Sequence, residues 1–215
     1  MIHRPNLELI AGTRNRGKIR EIQQLLADLP ITVRSLDDFP NIPTVDETGK
    51  TYEENSELKA LTYAKWTRLP TLADDSGLEV DGLGGMPGPL SARYGGGLVS
   101  DSDRISNLLS VLAQNPGGLR SARFVCCLTL AGWGLHQSAS DASPTILNVS
   151  KGNIEGRIAE VPIGVNGFGY DPVFVPDGYD ATLAELPTAV KNSISHRAKA
   201  LVSMRIFLDR WLKQT

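Results

Sequence analysis

The order of apolar and polar residues predicts alternating strands and helices in the first third of the chain. Apolar runs at 7–13 and 31–36 predict strands, and 52–66 has the periodicity of a helix. A further strand at 70–73 is expected to end at the DDSG sequence that follows it. Before Pro30, another helix is predicted by apolar residues at helical spacing, namely Ile19, Ile22, Leu25, Leu26 and Leu29. This alternation is typical of an α/β fold.

The rest of the chain begins with a glycine-rich stretch at 77–97, in which we expect tight turns and no packed element. Segments 122–133 and 145–159 predict long strands that form an antiparallel pair, with an exposed loop at 134–144 between them. Two further helices are predicted by apolar faces, one formed by Ile105, Leu108, Leu109 and Leu112 and one by Leu201, Met204, Leu208, Trp211 and Leu212. Without internal repeats or a long linker, residues 1–215 are expected to form a single domain.

Composition narrows the class of protein. The chain has 215 residues, of which 41% are hydrophobic and 21% charged, as is usual for a soluble globular protein. A net charge of -2 argues against broad binding to nucleic acid. No apolar run approaches the roughly 18 residues of a membrane-spanning helix, and the N-terminal apolar stretch is too short for a secretory signal. We therefore expect neither nucleic acid nor a membrane as a partner.

The two cysteines, Cys126 and Cys127, are adjacent within a predicted strand. Neighbouring residues of a strand point to opposite faces, so a disulfide between them is not expected. Neither cysteine has the spacing of a zinc site. They are best interpreted as small core residues in a reducing compartment, which predicts a cytoplasmic location.

The first candidate for chemistry is the sequence GTRNRGKI, from Gly12 to Ile19. It matches the phosphate-binding P-loop pattern except at its last position, where Ile19 replaces the hydroxyl that holds Mg²⁺. A strand, a glycine-bearing turn and a helix together direct backbone N–H groups at an anion. The candidate phosphate ligands are Thr13, Arg14, Asn15, Arg16, Gly17 and Lys18. The alternative is an ordinary turn with a solvated basic face.

The second candidate is ADDSG at 73–77, which places Asp74 and Asp75 where the preceding strand is expected to end. No lysine or arginine stands beside them in the sequence, so a cation or a proton is expected to relieve their repulsion. Mg²⁺ prefers carboxylate oxygens, and DETG at 46–49 supplies further acids. The alternative is a helix cap or a simple turn.

A third cluster lies on the helix predicted at 52–66. Asn55 and Lys59 are four residues apart and therefore share a face of that helix. Taken alone, the segment is equally consistent with a solvated helix that carries weak surface ion pairs.

The fourth cluster is near the C-terminus. In GFGYDP at 167–172, glycines surround Phe168 and Tyr170, which can present aromatic faces to a planar base. Basic residues follow near the start of the last helix, where the helix dipole favours an anion, namely Lys191, His196 and Arg197. The alternatives are aromatic core anchors and a basic first turn. The four clusters together are consistent with one nucleoside triphosphate bound with Mg²⁺.

Six motifs, in order and over nearly the whole chain, closely resemble those of the inosine triphosphate pyrophosphatase family, the XTP/dITP diphosphatases. They are T-x-N-x-G-K at 13–18, D-E-T-G…E-N-S-x-x-K-A at 46–60, L-A-D-D-S-G-L at 72–78, P-G…S-A-R-Y at 87–94, G-F-G-Y-D-P-V-F at 167–174 and K-N-S-I-S-H-R at 191–197. Each motif alone is weak, but six in sequence are highly specific.

The resemblance implies an elongated mixed sheet with flanking helices, two lobes around a central nucleotide-binding cleft, and a homodimer. It also implies Mg²⁺-dependent hydrolysis of ITP, dITP and XTP to the monophosphate and pyrophosphate. Matched residue by residue, it implies phosphate contacts at Thr13, Asn15 and Lys18, metal-binding acids at Glu47 and Asp75, a substrate contact at Ser76, a base stack at Phe168 beside Gly169, Tyr170 and Asp171, and base or phosphate contacts at Lys191, His196 and Arg197. Asp75 is also the expected proton acceptor, and Arg197 the expected donor to a 6-oxo group.

The sequence is also compatible with three other functions. A nucleotide pyrophosphatase of the septum-inhibitor type would act on modified pyrimidines, dTTP or UTP. A nucleotide sensor would bind without turnover, although the acids at 47, 74 and 75 argue against it. A true P-loop kinase or ATPase is disfavoured by Ile19.

Overall fold

A computed structural model describes residues 6–96, 100–114, 118–134 and 143–214. The described residues form six strands and five helices, which are β1 (Leu7–Ala11), α1 (Arg16–Leu25), β2 (Ile31–Ser35), α2 (Tyr52–Thr67), β3 (Thr71–Val80), α3 (Asp101–Ala113), β4 (Ser121–Gly132), β5 (Thr145–Ile158), β6 (Phe174–Pro176), α4 (Thr188–Ile194) and α5 (His196–Gln214). Short 3-10 helices lie at Leu36–Asp38, Asp81–Leu83, Gly88–Arg93 and Asp171–Val173. Most of the predicted loop at 134–144 falls outside the described residues.

The strands form one mixed sheet in the order β2-β1-β3-β4-β5-β6. β1 is parallel to both β2 and β3, whereas β5 and β6 are antiparallel. The predicted α/β class with a mixed sheet is therefore confirmed, and the two long strands β4 and β5 are neighbours as expected.

The prediction that a strand ends before DDSG is wrong, because β3 continues through this sequence as far as Val80. Asp74 is completely buried and Asp75 is 5% exposed. Two buried carboxylates in a strand must be neutralised, which either a proton or nearby cations can do. Lys18 and Lys59 do so in this protein, with ammonium nitrogens 2.5 Å from an Asp74 oxygen and 3.0 Å from an Asp75 oxygen.

The expectation of turns without a packed element at 77–97 is also wrong in part. Besides the end of β3, the stretch contains the 3-10 helix Gly88–Arg93, whose Ser91 is buried. The Ser91 hydroxyl accepts a hydrogen bond from the Leu78 amide at 2.8 Å and donates to the Gly88 carbonyl at 2.6 Å. This hydroxyl ties the glycine-rich segment to β3.

Three smaller differences concern element boundaries. Strand β6 and helix α4 were not predicted, because each is short and lacks a long apolar period. Helix α1 ends at Leu25, earlier than the apolar spacing indicated. Helix α2 agrees with prediction, and it begins with a reciprocal capping arrangement between Thr51 and Glu54.

The chain divides into two compact units, each with its own core. The first unit contains the chain up to Asp75, Cys127–Lys151 and the chain from Ala200 onward. The second unit contains Ser76–Cys126 and Gly152–Lys199. The core of the second unit is built from buried side chains of five elements, β3, α3, β4, β5 and β6. These side chains include Leu78, Val80, Ile105, Leu108, Leu112, Ala122, Phe124, Ile154, Ile158 and Phe174. A single domain over 1–215 stays a prediction.

The cysteines and the helices agree with the sequence-based expectations. Neither Cys126 nor Cys127 forms a disulfide, both are buried, and burial raises the pKa of the Cys127 thiol. Within the described part of the chain, no helix combines the length and the apolar character needed to cross a bilayer.

Candidate active site

The turn between β1 and α1 is organised by Asn15. Its side-chain oxygen caps α1 by accepting hydrogen bonds from the Gly17 amide at 2.9 Å and the Lys18 amide at 3.1 Å. The Thr13 hydroxyl accepts from the Asn15 amide at 3.2 Å. The amides that the P-loop-like pattern directs at a phosphate are thus bonded to Asn15 in this structure, so an incoming phosphate must share or replace those bonds. Gly12 fits closely here, since a Cβ would lie 3.0 Å from the Ala73 side chain, which is tighter than an ordinary contact.

The two arginines of this turn differ in their surroundings. The Arg14 guanidinium pairs with Asp37 at 3.3 Å and donates to the Ile42 carbonyl at 3.1 Å, so that it links the turn to the loop after β2. Arg16 is the first residue of α1 and its side chain is exposed. Phosphate contacts by Arg14 and Arg16 stay predictions.

An acidic cluster of the first unit converges on the ammonium group of Lys59. This nitrogen lies 2.6 Å from Glu47 Oε1, 3.0 Å from Asp75 Oδ1 and 2.8 Å from the Asp74 carbonyl oxygen. The fully buried Asn55 donates to Asp75 Oδ2 at 3.3 Å. Glu47 and Asp75, predicted from distant parts of the sequence, are therefore brought to one point.

Helix α2 positions both polar side chains of this cluster. Asn55 and Lys59 are one helical turn apart, and both are buried on the same face of α2. The Asn55 side-chain oxygen also accepts from the Gly49 amide at 2.8 Å, which fixes the loop that carries Glu47. Apart from the family motif at 46–60, which assigned no role to either residue, their i, i+4 spacing was the sequence signal, and it did not distinguish them from a surface pair.

The protonation of the cluster follows from burial and charge. Burial alone would lower the pKa of Lys59, but the carboxylates of Asp75 and Glu47 outweigh it and raise the pKa of the ammonium group. Lys59 therefore stays charged. Burial raises the pKa of the Asp75 carboxyl, and the attraction of Lys59 and Lys18 offsets only part of that rise. Asp75 is consequently a better proton acceptor than an exposed aspartate.

The donor set fits a hard divalent cation. Three oxygens, from Glu47, Asp75 and the Asp74 carbonyl, already surround one positive charge. Among the described residues, no group of three or more His, Cys, Asp or Glu side chains is arranged to hold a metal ion. Mg²⁺ is usually held by one or two carboxylates, with water and substrate phosphates as the other ligands. Two protein carboxylates are therefore sufficient for such a site.

A second group of predicted residues lies in the second unit, around Asp171. Its Oδ2 atom accepts from the Phe168 amide at 2.9 Å and from the Lys191 ammonium at 2.6 Å. The Lys191 nitrogen lies 4.7 Å from the centre of the Phe168 ring, a cation–π distance. Asp171 is 3% exposed. Its carboxylate thus holds the backbone of Phe168 and the ammonium of Lys191 together.

Arg197 belongs to the same group. Its guanidinium is buried, donates to the Ser76 hydroxyl at 3.1 Å, and lies 5.8 Å from the centre of the Phe168 ring. Ser76 follows Asp75 directly in β3. The predicted substrate contacts Ser76, Phe168, Lys191 and Arg197 are therefore neighbours in the second unit.

Two other predicted residues are packed as core anchors. The His196 ring stacks on Phe124, with centroids 4.8 Å apart and planes 11° apart. Tyr170 is buried, its hydroxyl donates to the Ser91 carbonyl at 3.1 Å, and burial raises the pKa of that phenol. These surroundings favour a role in core packing for both rings. Substrate contacts by His196 and Tyr170 stay predictions.

Gly167 permits the approach of Asp171. Its φ is 78°, and an added Cβ would lie 2.0 Å from Asp171 Oδ2. We expect Gly167→Ala to lower the free energy of unfolding by more than the roughly 1–2 kcal/mol of left-handed strain alone, because the carboxylate must also move. Gly178→Ala is the matched control, since its φ is 82° and nothing lies within 4 Å of the added Cβ. Equal losses in urea unfolding would contradict the steric role of Gly167.

Comparison with known sequences places these motifs in one family. The sequence model of the Ham1 family matches residues 9–207. The chain is 45% identical over 197 residues to a dITP/XTP pyrophosphatase of Geobacter sulfurreducens, covering 92% of this chain and 94% of the relative. It is 46% identical over 197 residues to a dITP/XTP pyrophosphatase of Geobacillus kaustophilus, covering 92% of both chains.

Solved structures agree with the sequence matches. A HAM1 protein from Coxiella burnetii superposes with a TM-score of 0.80 at 40% identity, covering 95% of this chain and 99% of that one. The Ham1 protein of Staphylococcus aureus has a TM-score of 0.78 at 38% identity, covering 94% of this chain and 98% of that one. With the sequence match over most of its length and the same fold, this chain belongs to the Ham1 family.

Proposed function

We propose that this protein is a Mg²⁺-dependent nucleoside triphosphate pyrophosphatase that hydrolyses the non-canonical purine nucleotides dITP, XTP and ITP. The products are the monophosphate and pyrophosphate, so these nucleotides are removed from the pool. Relatives that are 45% and 46% identical are named dITP/XTP pyrophosphatases, which supports the class of enzyme. The observation that carries the proposal is the convergence of Glu47 and Asp75 on one cationic group.

Glu47 and Asp75 are the residues that would hold the metal ion. When bound, Mg²⁺ supplies neutralisation of phosphate charge and a lowered pKa of coordinated water. The Lys59 ammonium is held at the same oxygens. Lys59 therefore keeps the two carboxylates close together before a metal ion arrives.

Asp75 is the proposed proton acceptor. A water oxygen forms a bond to the α-phosphorus, the α–β phosphoanhydride bond breaks, and pyrophosphate leaves with the electron pair of that bond. The proton of the water passes to the Asp75 carboxylate, whose raised pKa brings it closer to the working pH. In this structure Lys18 pairs with Asp74, the neighbour of Asp75, at 2.5 Å. From this position its ammonium group can offset the negative charge of the substrate phosphates.

The second unit supplies the proposed base-binding groups. Phe168 is half-buried, so part of its ring is available for stacking on a purine. Both Lys191 and Arg197 bring N–H donors close to this ring, with the Lys191 nitrogen 4.7 Å and the Arg197 guanidinium carbon 5.8 Å from the ring centre. A donor suits the 6-oxo group of hypoxanthine or xanthine and is left unpaired against the amino group of adenine. Rejection of ATP follows from that mismatch.

Initial rates on a nucleotide panel test the proposal. The panel contains dITP, XTP, ITP, GTP, ATP and dTTP with Mg²⁺, and the assay separates pyrophosphate from phosphate. We expect dITP, XTP and ITP to be cleaved far faster than ATP and dTTP, with pyrophosphate as the product and loss of activity in EDTA. Preference for dTTP would favour a pyrimidine-directed pyrophosphatase instead. Binding without pyrophosphate release would favour a sensor.

Two further proposals concern the state of the protein in the cell. We propose that it is a homodimer and that it is located in the cytoplasm. Light scattering of the purified protein tests the first of these, and fractionation of cells tests the second.

A further inference from the structure

The loop that carries Phe168 is exposed on one side of that residue and anchored in the core by Tyr170 on the other. Residues 161–167 are exposed, and Gly169 has a φ of 62° with nothing within 4 Å of where a Cβ would lie. The loop borders a cavity of about 430 Å³, which is also lined by Asp101 and Ser102 of α3. The loop therefore has room to shift if its hydrogen bonds are lost.

Three consecutive residues of the loop are each bonded to a different partner. The Phe168 amide donates to Asp171 at 2.9 Å, and the Tyr170 hydroxyl donates to the Ser91 carbonyl at 3.1 Å. The Gly169 amide donates to Asp101 Oδ2 at 2.7 Å. Asp171 belongs to the loop itself, whereas Asp101 reaches it from the start of α3 and so fixes it to a separate element.

The Asp101 carboxylate is itself fixed by Arg104. One oxygen of Asp101 pairs with the Arg104 guanidinium, which also donates to the Ala92 carbonyl at 3.1 Å. Ala92 follows Ser91, the residue that accepts from Tyr170. The motif at 87–94 thus receives two bonds connected with the Phe168 loop, one directly from Tyr170 and one through Arg104 and Asp101.

We propose that Asp101 is a positioning residue for base recognition. It acts through the Gly169 amide to set the orientation of the Phe168 ring, and it does not itself contact the substrate. The inference rests on the proposed function in assigning the base to Phe168. Because the carboxylate is 45% exposed, its replacement leaves no cavity in the core, and Arg104 keeps its bond to the Ala92 carbonyl.

The test separates binding of the base from binding of the phosphates. Asp101→Ala is expected to raise KM for dITP about tenfold, the size of one hydrogen bond to a charged acceptor, and to change kcat less than about twofold, since the acids of the first unit are untouched. Inhibition by inorganic tripolyphosphate, which has no base, is expected to stay at the wild-type Ki. Asp101→Asn restores an acceptor oxygen for Gly169 and is expected to return KM most of the way.

Glu155→Ala is the matched control. It removes another half-exposed carboxylate of the second unit that pairs with an arginine, Arg123, at 3.2 Å. Its KM for dITP is expected to equal that of the wild type. If Asp101→Ala leaves KM unchanged, or raises KM and the tripolyphosphate Ki together, the proposal is overturned.

Hydrogen exchange measures the loop without any substrate. Amides in a peptide covering 166–172 are expected to exchange faster in Asp101→Ala than in the wild type and in Glu155→Ala. Unchanged exchange would also overturn the proposal. If the wild type does not cleave dITP, the proposed function fails, and the exchange experiment still decides whether Asp101 holds the loop.

Discussion

Asp75→Asn is expected to lower kcat for dITP hydrolysis by a factor on the order of 10³ or more, as for the loss of a general base. The substitution removes the proton acceptor and one of the two acids proposed to hold the metal ion. The new amide can still form hydrogen bonds at this position, and Lys59 keeps Glu47 and the Asp74 carbonyl as partners. We therefore expect the fold to persist, as measured by circular dichroism and thermal unfolding.

Asp28→Asn is the control for this change. Asp28 is an aspartate of the same unit, is 69% exposed in its side chain, and pairs with Arg205 at 2.6 Å. It is expected to leave kcat and KM unchanged. Near-normal turnover by Asp75→Asn, with the fold intact, would remove Asp75 from both of its proposed roles.

In EDTA, the difference in stability between Asp75→Asn and the wild type is expected to depend on pH. Burial raises the pKa of Asp75 above its ordinary value of 3.8. Its folded carboxyl therefore binds a proton more tightly than the unfolded one, and its contribution to stability is full below pH 3.8 and is lost as the pH rises through the folded pKa. Asparagine does not titrate. As the pH rises from 3.8 through the folded pKa of Asp75, the free energy of unfolding of Asp75→Asn should therefore increase relative to that of the wild type.

Local sequence patterns were sufficient to predict much of the fold. The first strand, the capped helix α2 and the apolar face of α3 depend on residues that are close in sequence, and each was found where the pattern placed it. The family was also identified correctly, because six motifs in a fixed order carry information that no single motif has. Short elements such as β6 and α4 carry too few residues for a period to be recognised.

The acidic cluster was harder to predict, because its charges are balanced by residues distant in sequence. Asp74 pairs with Lys18, 56 positions away, and Asp75 with Lys59, 16 positions away. Without those partners, DDSG was predicted to follow the end of a strand, where its acids would need a cation. The same partners allow β3 to continue, so the misplaced strand end and the missed role of Lys59 have one cause. In the second unit, Asp101 carried no motif and its role follows only from the fold.

Lys59→Met is expected to destabilise the metal-free protein by about 3–5 kcal/mol, as when one partner of a buried ion pair is removed. Glu47 and Asp75 then lose the ammonium group that contacts both carboxylates, and Asp75 is buried. Lys65→Met, at an exposed position of the same helix, is the control and is expected to have little effect. Urea unfolding in EDTA measures both variants.

Added Mg²⁺ then tests whether the metal ion and Lys59 use the same oxygens. A ligand stabilises the folded state according to its affinity for that state. In Lys59→Met, Mg²⁺ can replace the positive charge that Lys59 supplied to Glu47 and Asp75, so it should raise the free energy of unfolding more than it does in the wild type. Equal stabilisation of both proteins would place the metal ion elsewhere. An unchanged stability in EDTA would show that Lys59 is not needed to hold the two acids, since the cost of their repulsion would be absent.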